Sequence, residues 1–304
     1  MSHFPARLGE FIRCPECASG LDVAAAAGVC RCGRRHQVHQ GIVSLLRKES
    51  LVSESAHERS LRDAEALALV RRSAEEIAAS PHEAMEMRPT LEWLALRNDD
   101  VVLELGCGDG RYTEIIARPG RRILAVDFSM EALRRLQEVL ERKSVAADVG
   151  MVHASIADLA VRPQSFDVVF STLTSNLPDH THRQMLYQLA ARALKPDGRF
   201  VFSAHHYGWR ERRARMEKSG HYTPGGIYRY QMTREELRHE LRQSFADVRI
   251  SPIQIYLPVV SRITGLRVAL SRAAERIPLL NNLGALLLCE ARNPLVGSKD
   301  QQPG

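Results

Sequence analysis

No apolar run in this sequence approaches the ~18 residues that a membrane-spanning helix needs, which excludes a helical transmembrane protein. The opening segment, MSHFPARLGEFIRCPEC, lacks the apolar core of a secretory signal and predicts a cytosolic protein. Cysteine is scarce, at six residues. In a reducing compartment such residues serve as ligands or buried thiols rather than disulfides. Aromatic residues are few as well: two Trp, seven Tyr and eight Phe, so any cluster of them stands out. No internal repeat or low-complexity tract is present, and only the tail 295–304 reads as disordered. With 44% hydrophobic and 26% charged residues, 304 residues suffice for one catalytic domain and a small appendage. A net charge of +6 permits an anionic partner without demanding one.

The cysteines are unevenly spread. Cys14, Cys17, Cys30 and Cys32 lie within the first 32 residues, as CPEC and then CRCGRRH. A Cys-x-x-Cys turn aims two thiolates at one point, and a second pair across a hairpin completes a tetrahedral zinc site. The second pair is irregular, so Cys30 or His36 can be the fourth ligand. Residues 1–47 are too few for a core of their own, and a metal would supply the missing folding energy. From 48 to 98 the composition turns to Ala, Glu, Arg and Leu at helical spacing, and Pro81 separates two helices. Met85, Met87, Leu91, Trp93 and Leu94 read as core packing of the second.

Residues 101–112 read VVLELGCGDGRY: a buried parallel strand, then alternating Gly106, Gly108 and Gly110, then a helix start. A dinucleotide fingerprint would place its third glycine at 111, which is arginine, so the spacing disfavours NAD and FAD. A second apolar strand ends in Asp127, where a carboxylate can accept from both hydroxyls of a ribose. Further strands follow around 150–153, at 165–172 ending in Ser171 and Thr172, and at 195–204.

This ordered set resembles the class I S-adenosylmethionine-dependent methyltransferases, strongly over 99–205 and more loosely over 233–293. The resemblance implies an α/β fold with a seven-stranded, mostly parallel Rossmann-like sheet over 99–294. It implies that Gly106, Gly108 and Gly110 hold the methionine part of S-adenosylmethionine, with Glu104 at the family's acidic position. Asp127 matches the ribose-binding carboxylate, Phe128 stands beside the adenine, and Ser171 ends the fourth strand at the cofactor. Ser155 takes the place of an Asp that commonly accepts from the adenine amino group, and Ile156 supplies a backbone amide. Asp158 can compensate for the weaker serine. The N-terminal segment resembles the zinc ribbon preceding some bacterial methyltransferases, including ribosomal RNA guanine methyltransferases. Their Cys-x-x-x-His pattern selects Cys14, Cys17, Cys32 and His36, whereas ribbons ending in Cys-x-x-Cys-Gly favour Cys30 with Cys32.

An acceptor would sit beyond the carboxyl ends of the strands, near His180, His182, His205 and His206, of which His205 and His206 are the preferred candidate bases. The segment 205–232 gathers Tyr207, Trp209, Tyr222, Tyr228 and Tyr230 around WRERRARMEK and reads as a lid over a small acceptor. Arginine interleaved with aromatics fits RNA instead. In the insertion 259–280, Ile263, Leu266, Leu270, Ala273 and Ile277 share one helical face, with Arg262, Arg267, Arg272 and Arg276 elsewhere. That amphipathic helix is expected to pack on its own domain, with a membrane surface or a lipid-like acceptor as the alternatives. The expected activity is methyl transfer to a small molecule; ribosomal RNA methylation and a non-catalytic adaptor are the competing readings.

Overall fold

The computed structural model describes residues 3–24, 27–47, 53–68, 72–145, 147–173, 180–218, 221–222, 226, 228–256 and 264–295. The N-terminal segment holds helix α1 (Ala6–Gly9) and strands β1 (Ile12–Arg13), β2 (Leu21–Val23), β3 (Ala27–Cys30), β4 (Arg35–His39) and β5 (Ile42–Ser44). Three helices follow: α2 (Ser53–Ala68), α3 (Ala74–Ala79) and α4 (Pro81–Leu94). Ser73 and Glu76 close a capping box on α3, and Pro81 fills the first position of α4, where its missing N–H costs nothing.

Strand and helix then alternate: β6 (Val101–Leu105), α5 (Thr113–Ile116), β7 (Arg122–Asp127), α6 (Met130–Arg142) and β8 (Asp148–His153). After the short β9 (Ala160–Val161) come β10 (Phe166–Thr172), α7 (His180–Ala193) and β11 (Leu194–His206). The segment 205–232 carries α8 (Trp209–Arg213), a small hairpin of β12 (His221–Tyr222) and β13 (Tyr228–Arg229), and β14 (Gln231–Met232). The chain ends through α9 (Arg234–Leu241), β15 (Phe245–Ile255), α10 (Thr264–Glu275) and β16 (Gly284–Pro294).

The strands β8, β7, β6, β10 and β11 run parallel, and β16 and β15 add antiparallel to β11. This is the expected seven-stranded, mostly parallel sheet. All five residues of β6 are buried, as a strand covered on both faces requires. The chain winds outward from β6 to β8 and then returns to β10 on the other side of β6. That reversal opens a crevice at the carboxyl ends of β6 and β10.

The sheet does not stop at β8. Strand β5 pairs parallel with it, Ile42 opposite Met151 and Ser44 opposite His153, and β4, β3 and β2 continue outward antiparallel. Both residues of the β4–β5 turn, Gln40 and Gly41, have positive φ (51° and 85°), as a two-residue hairpin of matching twist demands. The N-terminal segment therefore does not rely on a metal alone for its folding energy. Phe4, Leu8, Phe11 and Ile12 are buried in the same apolar cluster as Leu103 and Leu124 of the central strands.

Helix α10 packs on its own domain, as expected, but not through its apolar stripe. Its inward face carries Val268, Ser271 and Ala274, and Ser271 Oγ accepts from the Ile255 amide at 3.0 Å. Small residues let the helix sit close to β15 and α4, so the apolar stripe of Leu266, Ala273 and Ile277 turns outward. Ile263 and Arg262 lie outside the described residues, as do 174–179 of the segment after β10 and the tail beyond Leu295.

Gly150 shows how tightly the N-terminal segment fits. A Cβ there would lie 2.6 Å from the Phe4 ring and 2.9 Å from Leu8 Cδ1. Gly150→Val is expected to cost about 1–3 kcal/mol, read in chemical denaturation as a lower midpoint at unchanged slope. A slope reduced by the substitution would mean that the segment detaches independently.

Candidate active site and candidate metal centre

The turn after β6 is built on positive φ: 74° at Gly106, 55° at Gly108 and 84° at Gly110. The reasons differ. A Cβ on Gly110 would stand 2.2 Å from Leu136 Cδ1, so this glycine lets α6 pack against the turn. A Cβ on Gly108 would meet nothing within 4 Å, so its backbone faces open space. The Gly106 and Cys107 amides both donate to the Val126 carbonyl, at 2.8 and 3.0 Å, which ties the turn to the end of β7.

Asp127 sits at that end, buried. Its Oδ2 accepts from the Gly108 amide at 2.7 Å and its Oδ1 from the Ser129 amide at 2.9 Å. Burial raises its pKa, and the two amide donors pull the other way. Helix α2 lies over this carboxylate: Ser129 Oγ donates to Asp63 at 2.5 Å, and Glu58 and Arg62 add their charges nearby. Burial also raises the Glu58 pKa.

Glu104, in the middle of the glycine motif's strand, is buried beside Asp127. Burial pushes its pKa up to about 8, against the hydroxyl that Thr113 donates at 2.6 Å and the charge of Arg111. Arg111 in turn pairs with Glu83 at 2.9 Å and Glu86 at 2.6 Å, fastening α4 to the turn. Met85, Met87 and Leu94 of α4 are buried, as core residues should be.

The remaining candidates divide. Phe128 is half-buried, and its carbonyl accepts from His153 Nε2 at 3.2 Å. Since that carbonyl only accepts, Nε2 carries the proton, and Nδ1 takes the Ser44 hydroxyl at 3.0 Å. Burial lowers the His153 pKa, in keeping with a neutral ring. Ser155 is engaged with Asp158, donating at 3.1 Å and accepting from its amide at 3.2 Å. Asp158 is buried and takes the backbone and guanidinium of Arg47 at 2.9 and 2.8 Å, so it anchors the segment leaving β5. Ile156 packs against the main core. Ser171 is fully buried, donating to the Leu105 carbonyl at 2.8 Å just before the turn. Neither His153 nor Arg47 was marked in the sequence, although His153 ends β8 as Asp127 ends β7.

The two candidate bases point to opposite faces of β11. His206 is 1% exposed and held by Nδ1 to the Gly284 carbonyl at 2.7 Å, with its pKa lowered by burial. His205 is half-buried at the strand's carboxyl end, beside Gln231 of β14. His180 and His182 open α7. In the segment 205–232, Tyr230 is structural: its hydroxyl donates to Glu236 at 2.6 Å, and Arg183 stacks on its ring at 4.2 Å.

At the N-terminus the sulfurs of Cys14, Cys17, Cys30 and Cys32 all lie within 4.8 Å of one another. Observed separations of 3.2–3.9 Å bracket the ~3.8 Å expected for four thiolates about 2.3 Å from a tetrahedral zinc. His36 Nε2 stands 3.6 Å from Cys14 Sγ, buried, outside the four-sulfur group.

Residues 102–198 match the family described as a methyltransferase domain. The chain carries a class I S-adenosylmethionine-dependent methyltransferase domain. Over 109 residues the chain is 35% identical to a ubiquinone biosynthesis O-methyltransferase of Ralstonia nicotianae, covering 34% of this chain and 43% of that protein. A cypemycin N-terminal methyltransferase of a Streptomyces species is 36% identical over 101 residues, covering 32% and 38%. The chain thus spans less than half the length of the curated relatives it matches. A chain from the solved complex of the Haloferax volcanii Trm112 methyltransferase activator with a methyltransferase shares the fold. It aligns with a TM-score of 0.50 at 18% identity, over 77% of this chain and 97% of that one.

The methyltransferase domain should be pH-sensitive through Glu104. Its folded pKa near 8 exceeds the ordinary 4.5, so the folded chain keeps a proton that the unfolded chain releases. The resulting stability is fully present below pH 4.5 and is lost as pH rises towards 8. Melting of the cofactor-free protein should therefore fall over this interval, and Glu104→Gln should flatten the slope in a pH series of thermal scans. An unchanged slope in the variant would place the titration elsewhere.

Proposed function

We propose that the protein is an S-adenosylmethionine-dependent methyltransferase acting on a small-molecule acceptor, with a structural zinc in its N-terminal ribbon. The observation that carries the reading is the Gly108–Asp127 pair: a glycine backbone facing open space beside a buried carboxylate. Residues 106–110 would hold the methionine part of the cofactor and Asp127 the ribose hydroxyls. Phe128 and the Ser155–Ile156 turn would border the adenine. The cofactor supplies a methyl carbon on a sulfonium, an electrophile that needs alignment more than activation.

The chain's own contribution is position and proton handling. Glu104, its pKa raised to about 8 by burial, would ionise more readily beside the cofactor's cationic groups. His205, half-buried at the end of β11, is the proposed base for a hydroxyl or amine acceptor. His206 holds the following turn through Gly284. The several O-methyltransferases of ubiquinone biosynthesis among the relatives support a small acceptor. Cys14, Cys17, Cys30 and Cys32 are the proposed zinc ligands, with His36 donating to the Cys14 thiolate from outside.

Calorimetric titration tests the cofactor site. S-adenosylhomocysteine should bind the wild type, and Asp127→Ala should weaken binding by at least about a hundredfold (~2.7 kcal/mol). Binding unaffected by the substitution would overturn the assignment. Metal analysis tests the ribbon: one zinc per chain is expected in the wild type and in His36→Ala, and a large loss in Cys17→Ser. Zinc lost in His36→Ala and kept in Cys30→Ser would reverse the fourth-ligand assignment.

A further inference from the structure

Ten large apolar side chains are exposed among the described residues, and they are not scattered. Six of them, Trp209, Met216, Tyr256, Leu266, Ile277 and Leu279, belong to three adjoining pieces of chain. These are α8 with the residues after it, the end of β15, and α10 with the short 3-10 helix Pro278–Leu283. The 3-10 helix packs against both α8 and α10. A Cβ on Gly208 would lie 2.6 Å from the Asn282 carbonyl, and the Arg210 guanidinium stands 5.7 Å from the Tyr256 ring.

Helix α10 has two faces with opposite habits. Val268, Ser271 and Ala274 are buried inward. Leu266, Leu270 and Ala273, at i, i+4 and i+7, share the other face, Leu270 half-buried, and Ile277 follows just past the helix end, exposed. Leu266 is 45% exposed, Ile277 46% and Leu279 beyond it 91%. Arg267 borders the stripe on one side and Arg276 on the other, both exposed. Arg213 stacks on the half-exposed Trp209 at 5.3 Å, and Arg210, Arg212 and Arg215 nearby in the chain are exposed. A soluble surface with this much apolar area on one side is a contact surface, and its border decides for what.

We infer that this face is an interfacial docking surface for an anionic lipid bilayer. The apolar stripe would enter the headgroup–acyl boundary while the flanking arginines meet lipid phosphates. An indole at the rim is suited to that depth. The border is mainly arginine, with Glu211 and Glu217 as acidic members, and this excess of positive charge suits an anionic surface better than an apolar protein partner. The inference stands apart from the acceptor assignment, because it rests on residues away from the glycine turn.

Vesicle sedimentation tests it with the full-length, zinc-loaded protein. Vesicles of phosphatidylcholine with about one-third phosphatidylglycerol should pellet the wild type, and pure phosphatidylcholine should pellet about tenfold less. Leu266→Glu combined with Ile277→Glu and Leu279→Glu should reduce pelleting at least about tenfold, as should Arg213→Glu with Arg276→Glu. Unchanged S-adenosylhomocysteine binding and melting in these variants would show that they are folded. Absence of pelleting by anionic vesicles, or equal pelleting of wild type and variants, would overturn the inference. So would a wild-type dimer in light scattering that the glutamate variants dissociate without any vesicle binding: the occupant would then be a second copy of the chain. Failure of cofactor binding with vesicle binding intact would count against the proposed function alone.

Discussion

Two backbone amides on one buried carboxylate hold the centre of this molecule together. The N–H of Gly108 comes from the loop after β6, that of Ser129 from the loop after β7, and Asp127 accepts both. A buried carboxylate is tolerated only when its oxygens are occupied, so the clasp forces the two loops into one geometry. The position of α6 follows, because Ser129 also caps that helix by accepting from the Ala132 amide. The glycine turn follows too, since its third member must clear Leu136 of α6. Helix α2 is held over the same point through Asp63.

Around this clasp the chain has arranged three layers of support that reach far in sequence. Arg111 ties the turn to α4, Ser171 ties the base of the turn to β10, and His153 ties the Phe128 carbonyl to Ser44 of β5. The last of these connects the N-terminal segment to the loop carrying Asp127. A second tie, Arg47 on Asp158, connects it to the loop after β8. Both loops border the space where the adenine end of the cofactor is proposed to lie.

Much of the sheet was legible because its strands are covered on both faces and so read as uninterrupted apolar runs, β6 and β7 above all. The alternating glycines were legible because positive φ leaves few other residues. What the chain did not announce were contacts between segments distant in sequence. Asp158 read as a spare acceptor near Ser155, yet Arg47, 111 residues earlier, claims it. The parallel pairing of β5 with β8 is equally silent, because a three-residue strand carries no periodicity long enough to read. Helix α10 packs on its own domain as its sequence suggested, but the packing face was not legible. A helical period names the apolar face, but only the neighbours decide whether it turns inward, and here Ser271 meets β15 while Val268 meets Ala84 and Met85 of α4.

The parallel pairing at β8 also bears on how the protein can be dissected. An interior strand becomes an edge once its neighbour is gone, and an open edge next to apolar surface recruits other chains. Removing residues up to Arg47 would bare Met151–His153 of β8 and uncover the hollow at Gly150 that Phe4 and Leu8 fill. The seven strands of the methyltransferase sheet are thus closed on that side by the N-terminal segment. A trimmed version that looks complete by its seven strands would be a sticky fragment, prone to inclusion bodies, and shortened only at the expense of its solubility.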